Sequence, residues 1–260
     1  MTRPLPLSGV VITRNEADRI GRCVGSLAQV CAEVIVLDSG SSDDTVAVAR
    51  AAGARVEHQD WLGFAAQKNA AIERATQPWV LLLDADEWLE PPALARLRAL
   101  FDSGEVERAD VWRLLRRTHF LGHRMRFGSF AREPVERLFR ARFRHAPRLV
   151  HEYLDIRGAR VATLDAALEH DTARSEAEYW RKLEGYARLW AQEQRARGRR
   201  GFPGRGALAA AAYFLRNLVL RGGLLDGRGG WRHHRLHMRY AALKYRLLRQ
   251  DPIETTDPHR

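Results

Sequence analysis

The sequence predicts an α/β protein: a doubly wound, mainly parallel sheet, continued by a helical C-terminal region. Three observations carry this. Apolar, β-rich runs alternate with helical-period segments over the first hundred residues. Polar clusters follow those runs directly. The last third changes character, to long amphipathic patterns. Alternation of strands and helices implies parallel strands with crossover helices. The division predicted is 1–172 for the α/β catalytic part and 173–260 for a basic helical part.

Each element follows from its residues. "LSGVVIT" is a short β-rich run ending at Thr13, and in the segment after it Ile20, Val24, Leu27 and Val30 fall at helical spacing. Strand Val34 to Leu37 leads to Asp38 and a Ser/Gly turn, where Asp43 or Asp44 can cap the next helix and Gly53 can stop it. "ARVEHQ" is a third strand and "GFAAQKNAAIERAT" a third helix. Next, Trp79 to Leu83 is apolar without a break and runs directly into Asp84, Asp86 and Glu87. A run of this kind is a buried strand of a parallel sheet. Unpaired buried carboxylates are costly, so the acids are expected at its C-terminal end. Side-chain alternation puts Asp84 and Asp86 on one strand face, which suggests a hard-metal site. "PPALARLRALF" follows as a helix with proline in its first turn.

Three polar clusters, Thr13-Arg14-Asn15-Glu16, Asp38-Ser39-Gly40 and Asp84-Ala85-Asp86, each follow a strand directly. Right-handed crossovers bring these ends to one edge of the sheet, where ligands of open α/β sheets bind. A dinucleotide fold would need G-x-G-x-x-G after the first strand, and the turn reads "TRNEAD". The Walker pattern is absent as well. A nucleotidyltransferase would want a Gly-rich phosphate loop with Arg or Lys at the same place.

The net charge of +11 invites a nucleic-acid reading, but nearly all the basic residues are Arg, with Lys only at 68, 182 and 244. Its distribution is more informative: Arg195 to Arg249 holds fourteen Arg or Lys and a single acid, Asp226. A polybasic, Leu-rich tail suggests an anionic surface. Nucleic acid would leave the acidic crevice unexplained, so an anionic membrane is the expected partner. "SEAEYWRKLEGYARLWAQEQRARG" reads as a long amphipathic helix with Tyr179, Leu183, Tyr186 and Trp190 on one stripe. "ALAAAAYFLRNLVLRGGLL" is the most apolar segment, but Arg216 and Arg221 interrupt it short of the ~20 apolar residues of a span. It reads as an interfacial helix with snorkelling arginines, or as a helix packed on the catalytic domain. With 45% apolar residues the chain can bury a sizeable core. Cys23 and Cys31 make no disulfide framework and are expected as half-buried thiols in a reducing cytosol. "MTRPLPLSGVVIT" carries no leader pattern.

"VVITRNEADRI", "EVIVLDSGSSDDT", "AAQKNAAI" and "LLLDADE" resemble, in order, the nucleotide-sugar half of the inverting family-two glycosyltransferases of GT-A type. Further on, "ERLFRA", "LVHEYL", "LEHDT" and "YAALKYRLL" resemble the subgroup that glycosylates the lipopolysaccharide inner core, typified by a β-1,4-glucosyltransferase. That subgroup tends to have Tyr-Pro-Asp ahead of its Arg-Leu-Phe, where this chain reads "FAREPVERLF".

The resemblance implies a GT-A, Rossmann-like fold, a UDP-sugar donor such as UDP-glucose, a glycolipid acceptor, and Mg²⁺ or Mn²⁺. It makes Asp86 the metal ligand, with Asp84 facing the ribose or a metal-bound water. Asp38 becomes the uracil or ribose contact, with a turn aspartate held by backbone N–H groups as the alternative. Asn15 and Glu16 are placed near the base, beside Thr13, or cap the first helix instead. Lys68 approaches the diphosphate or donor sugar, or is a solvated surface lysine. In "LVHEYL", Glu152 is the expected base, with His151 the alternative. His170 is a metal-side or structural histidine.

Overall fold

The first apolar run forms β1 (Leu5–Thr13), and the helical-period segment behind it forms α1 (Ile20–Leu27). The structure, a computed structural model, describes residues 3–128, 133–146 and 153–250. β2 (Cys31–Asp38), α2 (Thr45–Ala51), β3 (Arg55–His58), α3 (Phe64–Ile72) and β4 (Trp79–Asp84) continue the alternation. After β4 the chain makes a turn, a two-residue strand β5 (Glu87–Trp88), and α4 (Pro91–Asp102), which starts on prolines. Longer strands follow: β6 (Val111–Phe120), β7 (His123–Arg124), β8 (Glu133–Arg140), β9 (His145–Ala146), β10 (Tyr153–Leu154) and β11 (Val161–Asp171). The chain ends in α5 (Glu176–Ala196), α6 (Arg205–Tyr213), a π-helical segment Phe214–Leu220, a 3-10 turn Gly223–Asp226 and α7 (Gly227–Arg249).

The chain forms two compact units, Met1–Thr118 with Arg132–Asp171, and His119–Ala131 with Thr172–Arg260. In the first, the sheet runs β3-β2-β1-β4-β8-β6-β11-β5. β1 pairs in parallel with β2 and β4, and β2 with β3, whereas β8 is antiparallel to both β4 and β6. The fold class is thus the expected one: a doubly wound, mostly parallel half, extended by antiparallel strands.

Alternation along the strands sorts the core. Leu81 and Leu83 face α1 and α4, packing with Val24, Leu27, Leu94 and Leu97. Val80 and Leu82 face the opposite way and pack with Ala71 and Ile72 of α3. Gly9 sets the distance of α1 from the sheet: a Cβ there would stand 3.2 Å from Cys31 Sγ and 3.2 Å from Leu27. Both cysteines are free and buried, deeper than the half-burial expected, and burial pushes both thiols up.

The second unit has its own small core, in which Phe120 and Met125 pack with Ala173, Tyr179, Leu183 and Leu236. This is why the His119–Ala131 segment groups with the C-terminal helices. Ser175 caps α5, accepting from the Glu178 N–H at 3.1 Å. On its stripe Tyr179 and Leu183 are buried, and Tyr186 and Trp190 are half-buried.

Candidate active site

The register brings the three polar strand ends together. Thr13 stands beside Asp38, and Ile12 beside Asp84, at the C-terminal edge of the parallel strands. The chain leaves β1 for β2 and β3 on one side and reaches β4 on the other, so β1 and β4 flank the switch point where such sheets open a crevice.

Two turns line that crevice and are laced together. Asp38 is buried, and its Oδ2 accepts from the Gly40 and Ser41 N–H groups, both at 2.9 Å. The Ser41 hydroxyl donates to its Oδ1. The carboxylate therefore shapes its own turn, with Gly40 at φ 82 as that bend requires. Asn15 takes φ 57, a conformation asparagine tolerates better than most residues. Its N–H donates to Ser41 Oγ at 2.9 Å and its Oδ1 accepts from the Ser42 N–H at 2.8 Å. The Glu16 N–H donates to Thr45 Oγ1 at 2.8 Å, and its carboxylate lies 3.7 Å from Arg19. Thr13 is buried, and its hydroxyl has no hydrogen-bond partner among the described residues.

Gln67 was not foreseen. It is fully buried on α3 and donates to Ser39 Oγ at 3.0 Å and Gln59 O at 3.2 Å, while accepting from the Leu62 N–H at 3.2 Å. One amide thus fixes the Asp38 turn to the loop that follows β3.

The two aspartates of the acidic stretch part company. β4 ends at Asp84, and Ala85 and Asp86 lie in a turn, so the expected shared strand face does not form. Asp84 keeps the parity of Val80 and Leu82 and points toward the α3 side, where Lys68 Nζ stands 3.0 Å away. Its other oxygen accepts from Arg137 of β8 at 2.5 Å. Arg137 also donates to Glu87 Oε1 at 2.7 Å, and Glu87 Oε2 accepts from the Asp84 N–H at 3.0 Å. Burial alone raises the Asp84 carboxyl, but the Arg137 guanidinium and then the Lys68 ammonium outweigh it and hold it well below the usual carboxylate range. Lys68 is buried, which sets aside the solvated-lysine alternative. The sequence predicts no role for Arg137 or Glu87; the signal for Arg137 is its place in "ERLFRA".

Asp86 turns instead toward His170 of β11, 3.4 Å away, and Arg19, 4.0 Å away. β5 and β11 create this meeting by pairing Glu87 with His170 and Trp88 with Glu169. Asp86 and His170 are 15 and 14% exposed, partly open to solvent. His170 Nδ1 has no partner among the described residues, so the ring is not committed on that side. A carboxylate and an imidazole suit a divalent cation that takes its remaining ligands from water and phosphate oxygens. Among the described residues no group of three or more His, Cys, Asp or Glu could hold a metal without such help. His145 lies nearby: Asn69 grips its backbone with bonds of 2.7 and 2.9 Å, and burial, then Lys68 and Arg137, pushes its pKa down to about 3. The expected base, Glu152, and its alternative His151 lie outside the described residues.

The profile of Glycosyl transferase family 2 matches residues 8–151, more than half of the chain, and the chain belongs to that family. Its relatives include a lipopolysaccharide core enzyme. The lipopolysaccharide core biosynthesis glycosyltransferase LpsC of Rhizobium meliloti is 39% identical over 130 residues, 47% of this chain and 46% of that one. An uncharacterized glycosyltransferase of Rickettsia felis is 41% identical over 102 residues, 39% of this chain and 36% of the relative. These matches span less than half the length of either relative.

Among solved structures, Staphylococcus aureus TarS 1-349 aligns over 72% of this chain and 65% of its own, with TM-score 0.45 and 16% identity. Glucosyl-3-phosphoglycerate synthase of Mycobacterium tuberculosis, in complex with Mn²⁺, UDP-glucose and phosphoglyceric acid, aligns over 43% of each chain, with TM-score 0.37 and 26% identity.

Proposed function

We propose that this chain transfers a sugar, glucose in this reading, with inversion from a UDP-sugar to a glycolipid of the lipopolysaccharide core. The observation that carries the reading is the Asp86–His170 pair set beside the ends of β1, β2 and β4 at the switch point. Thr13, Asn15, Glu16 and the Asp38 turn form the wall for the nucleoside. Asp86 and His170 would hold Mg²⁺ or Mn²⁺, which neutralises charge on a diphosphate leaving group. Asp84 fixes the Lys68 ammonium at the crevice, and Arg137 holds Asp84 in place.

In the reaction the acceptor oxygen forms a bond to the sugar C1 from the face opposite the nucleotide. The C1–O bond to the diphosphate breaks, and UDP leaves with that electron pair. Glu152 takes the acceptor's hydroxyl proton, because carboxylates bound to a cation are poor proton acceptors. A soluble donor and a membrane-held acceptor meet at the inner face of the cytoplasmic membrane, which is where this reading puts the chain.

The test is a screen of purified nucleotide sugars with a lipopolysaccharide core acceptor, run with Mn²⁺ and with excess EDTA, the product anomer being read by NMR. UDP release from one donor, metal dependence and an inverted anomer are expected. Full activity in EDTA refutes the metal assignment, and retention refutes the single-displacement course.

A further inference from the structure

The second unit carries an apolar surface that its own fold leaves open. α6 buries none of its residues, and the π-helical segment after it buries only Asn217 and Leu218. Leu215, Val219, Leu220, Leu224 and Leu225 are 54, 49, 74, 49 and 71% exposed. Single exposed apolar residues are ordinary, but four leucines and a valine exposed within positions 215–225, at the sharp break between two helical stretches, are not. Arg216, Arg221 and Arg228, all exposed, stand among and beside them.

The same stretch is electrostatically one-sided. Between Arg195 and Arg249 the single acid is Asp226. Its Oδ1 accepts from the Arg126 N–H and its Oδ2 from the Phe127 N–H, both at 3.0 Å, so this carboxylate is spent on the backbone. Among the described residues no single helix is long and apolar enough to cross a membrane, although Arg205–Leu220 and Gly223–Arg249, bent sharply against each other, qualify as a pair by length and composition.

We propose that this surface seats in the headgroup–acyl boundary of an anionic phospholipid bilayer. The leucines enter the acyl layer, and Arg216, Arg221 and Arg228 stay at the phosphates. Charge complementarity selects this occupant. A second copy of the chain would bring one arginine-rich face against another, and a nucleic acid would match the arginines but leave the leucines in water. An anionic bilayer satisfies both at once.

The experiment uses the full chain and co-sedimentation with phosphatidylcholine vesicles, with and without phosphatidylglycerol. Binding is expected to the phosphatidylglycerol vesicles and to be only partly released by high salt, because the apolar contribution is not screened. The double variant L220D/L225D should keep its unfolding midpoint, since both side chains are exposed, and partition about tenfold or more weaker. A second variant, R216Q/R221Q, should reduce the preference for phosphatidylglycerol while leaving binding that survives salt. Equal binding to both vesicle types, unchanged partition of L220D/L225D, or a lipid-free dimer abolished by L220D/L225D would each overturn the proposal. The readout is membrane partition, so it stands or falls separately from the transfer reaction.

Discussion

Replacing Arg137 by methionine removes the cation that bridges Asp84 and Glu87 beneath the crevice. Arg137 is 7% exposed, and it serves Asp84 at 2.5 Å and Glu87 at 2.7 Å. The two acids are not equally vulnerable. Asp84, its side chain 35% exposed, keeps Lys68 at 3.0 Å. Glu87 is fully buried, and among the described residues the cation it keeps is Arg116, at 3.9 Å. Stranding one buried charge costs about 3–5 kcal/mol, and the remaining Arg116 puts this case near the lower end, at about 3. In a unit of this size that lowers the unfolding midpoint by about 6–12 °C. Urea denaturation of wild type, R137M and R137M/E87Q measures it. The double variant should recover much of the loss, because glutamine still accepts from the Asp84 N–H without carrying a charge. A loss under about 1 kcal/mol, or no recovery in R137M/E87Q, refutes the bridging role.

Asp86→Asn and His170→Ala should each weaken Mn²⁺-dependent UDP binding in calorimetry while leaving the ligand-free unfolding midpoint nearly unchanged; equal affinity with and without Mn²⁺ in wild type would remove the metal from this site. Glu152→Gln should slow turnover by about 10²–10⁴-fold at unchanged donor affinity; near-normal turnover moves the base elsewhere, and His151→Ala measured alongside says whether it moves by one residue. Burial lowers the imidazoles of His145 and His237 to about 3. An unfolded histidine titrates near ~6.5, so these groups cost nothing above that pH and destabilise the fold as pH falls toward their folded values, by about 1.4 kcal/mol per pH unit each. Melting curves from neutral to mildly acidic pH should therefore fall steadily, and a flat profile would contradict the buried neutral rings.

Where one physical demand governed a segment, the sequence was readable. Trp79 to Leu83 could only be a two-sided buried strand, and its side chains are indeed 0–1% exposed. The three strand ends at one edge followed from alternation and handedness alone. Reading stopped where tertiary partners decide. Extending the alternation two residues past Asp84 put Asp86 on the wrong face, because the chain turns to pair Glu87 with His170, some eighty residues on. In the sequence Glu87 groups with Asp84 and Asp86 as an acid at the strand's end. Arg137, brought in by the antiparallel β8, is the nearest charge that offsets the full burial of Glu87. Gln67 had only its place in "AAQKNAAI" as a signal, since an amide between alanine and lysine on a helix has no pattern of its own. The long apolar segment after Gly206 was legible as helical but not as broken, and its π-helical stretch and 3-10 turn depend on the neighbours that take up the freed backbone groups.

The grouping of His119–Ala131 with the C-terminal helices bears on how the chain is made. A ribosome delivers Phe120 and Met125 about fifty residues before Tyr179 and Leu183, and more than a hundred before Leu236, yet these residues share one core. During synthesis the hairpin must wait with a phenylalanine uncovered, a natural client for a chaperone that holds emerging chains. Cutting the gene at residue 172 would make that wait permanent: the hairpin would remain while every helix that covers it was gone. Shortened versions of this protein should therefore aggregate unless the hairpin is replaced by a short polar turn together with the tail.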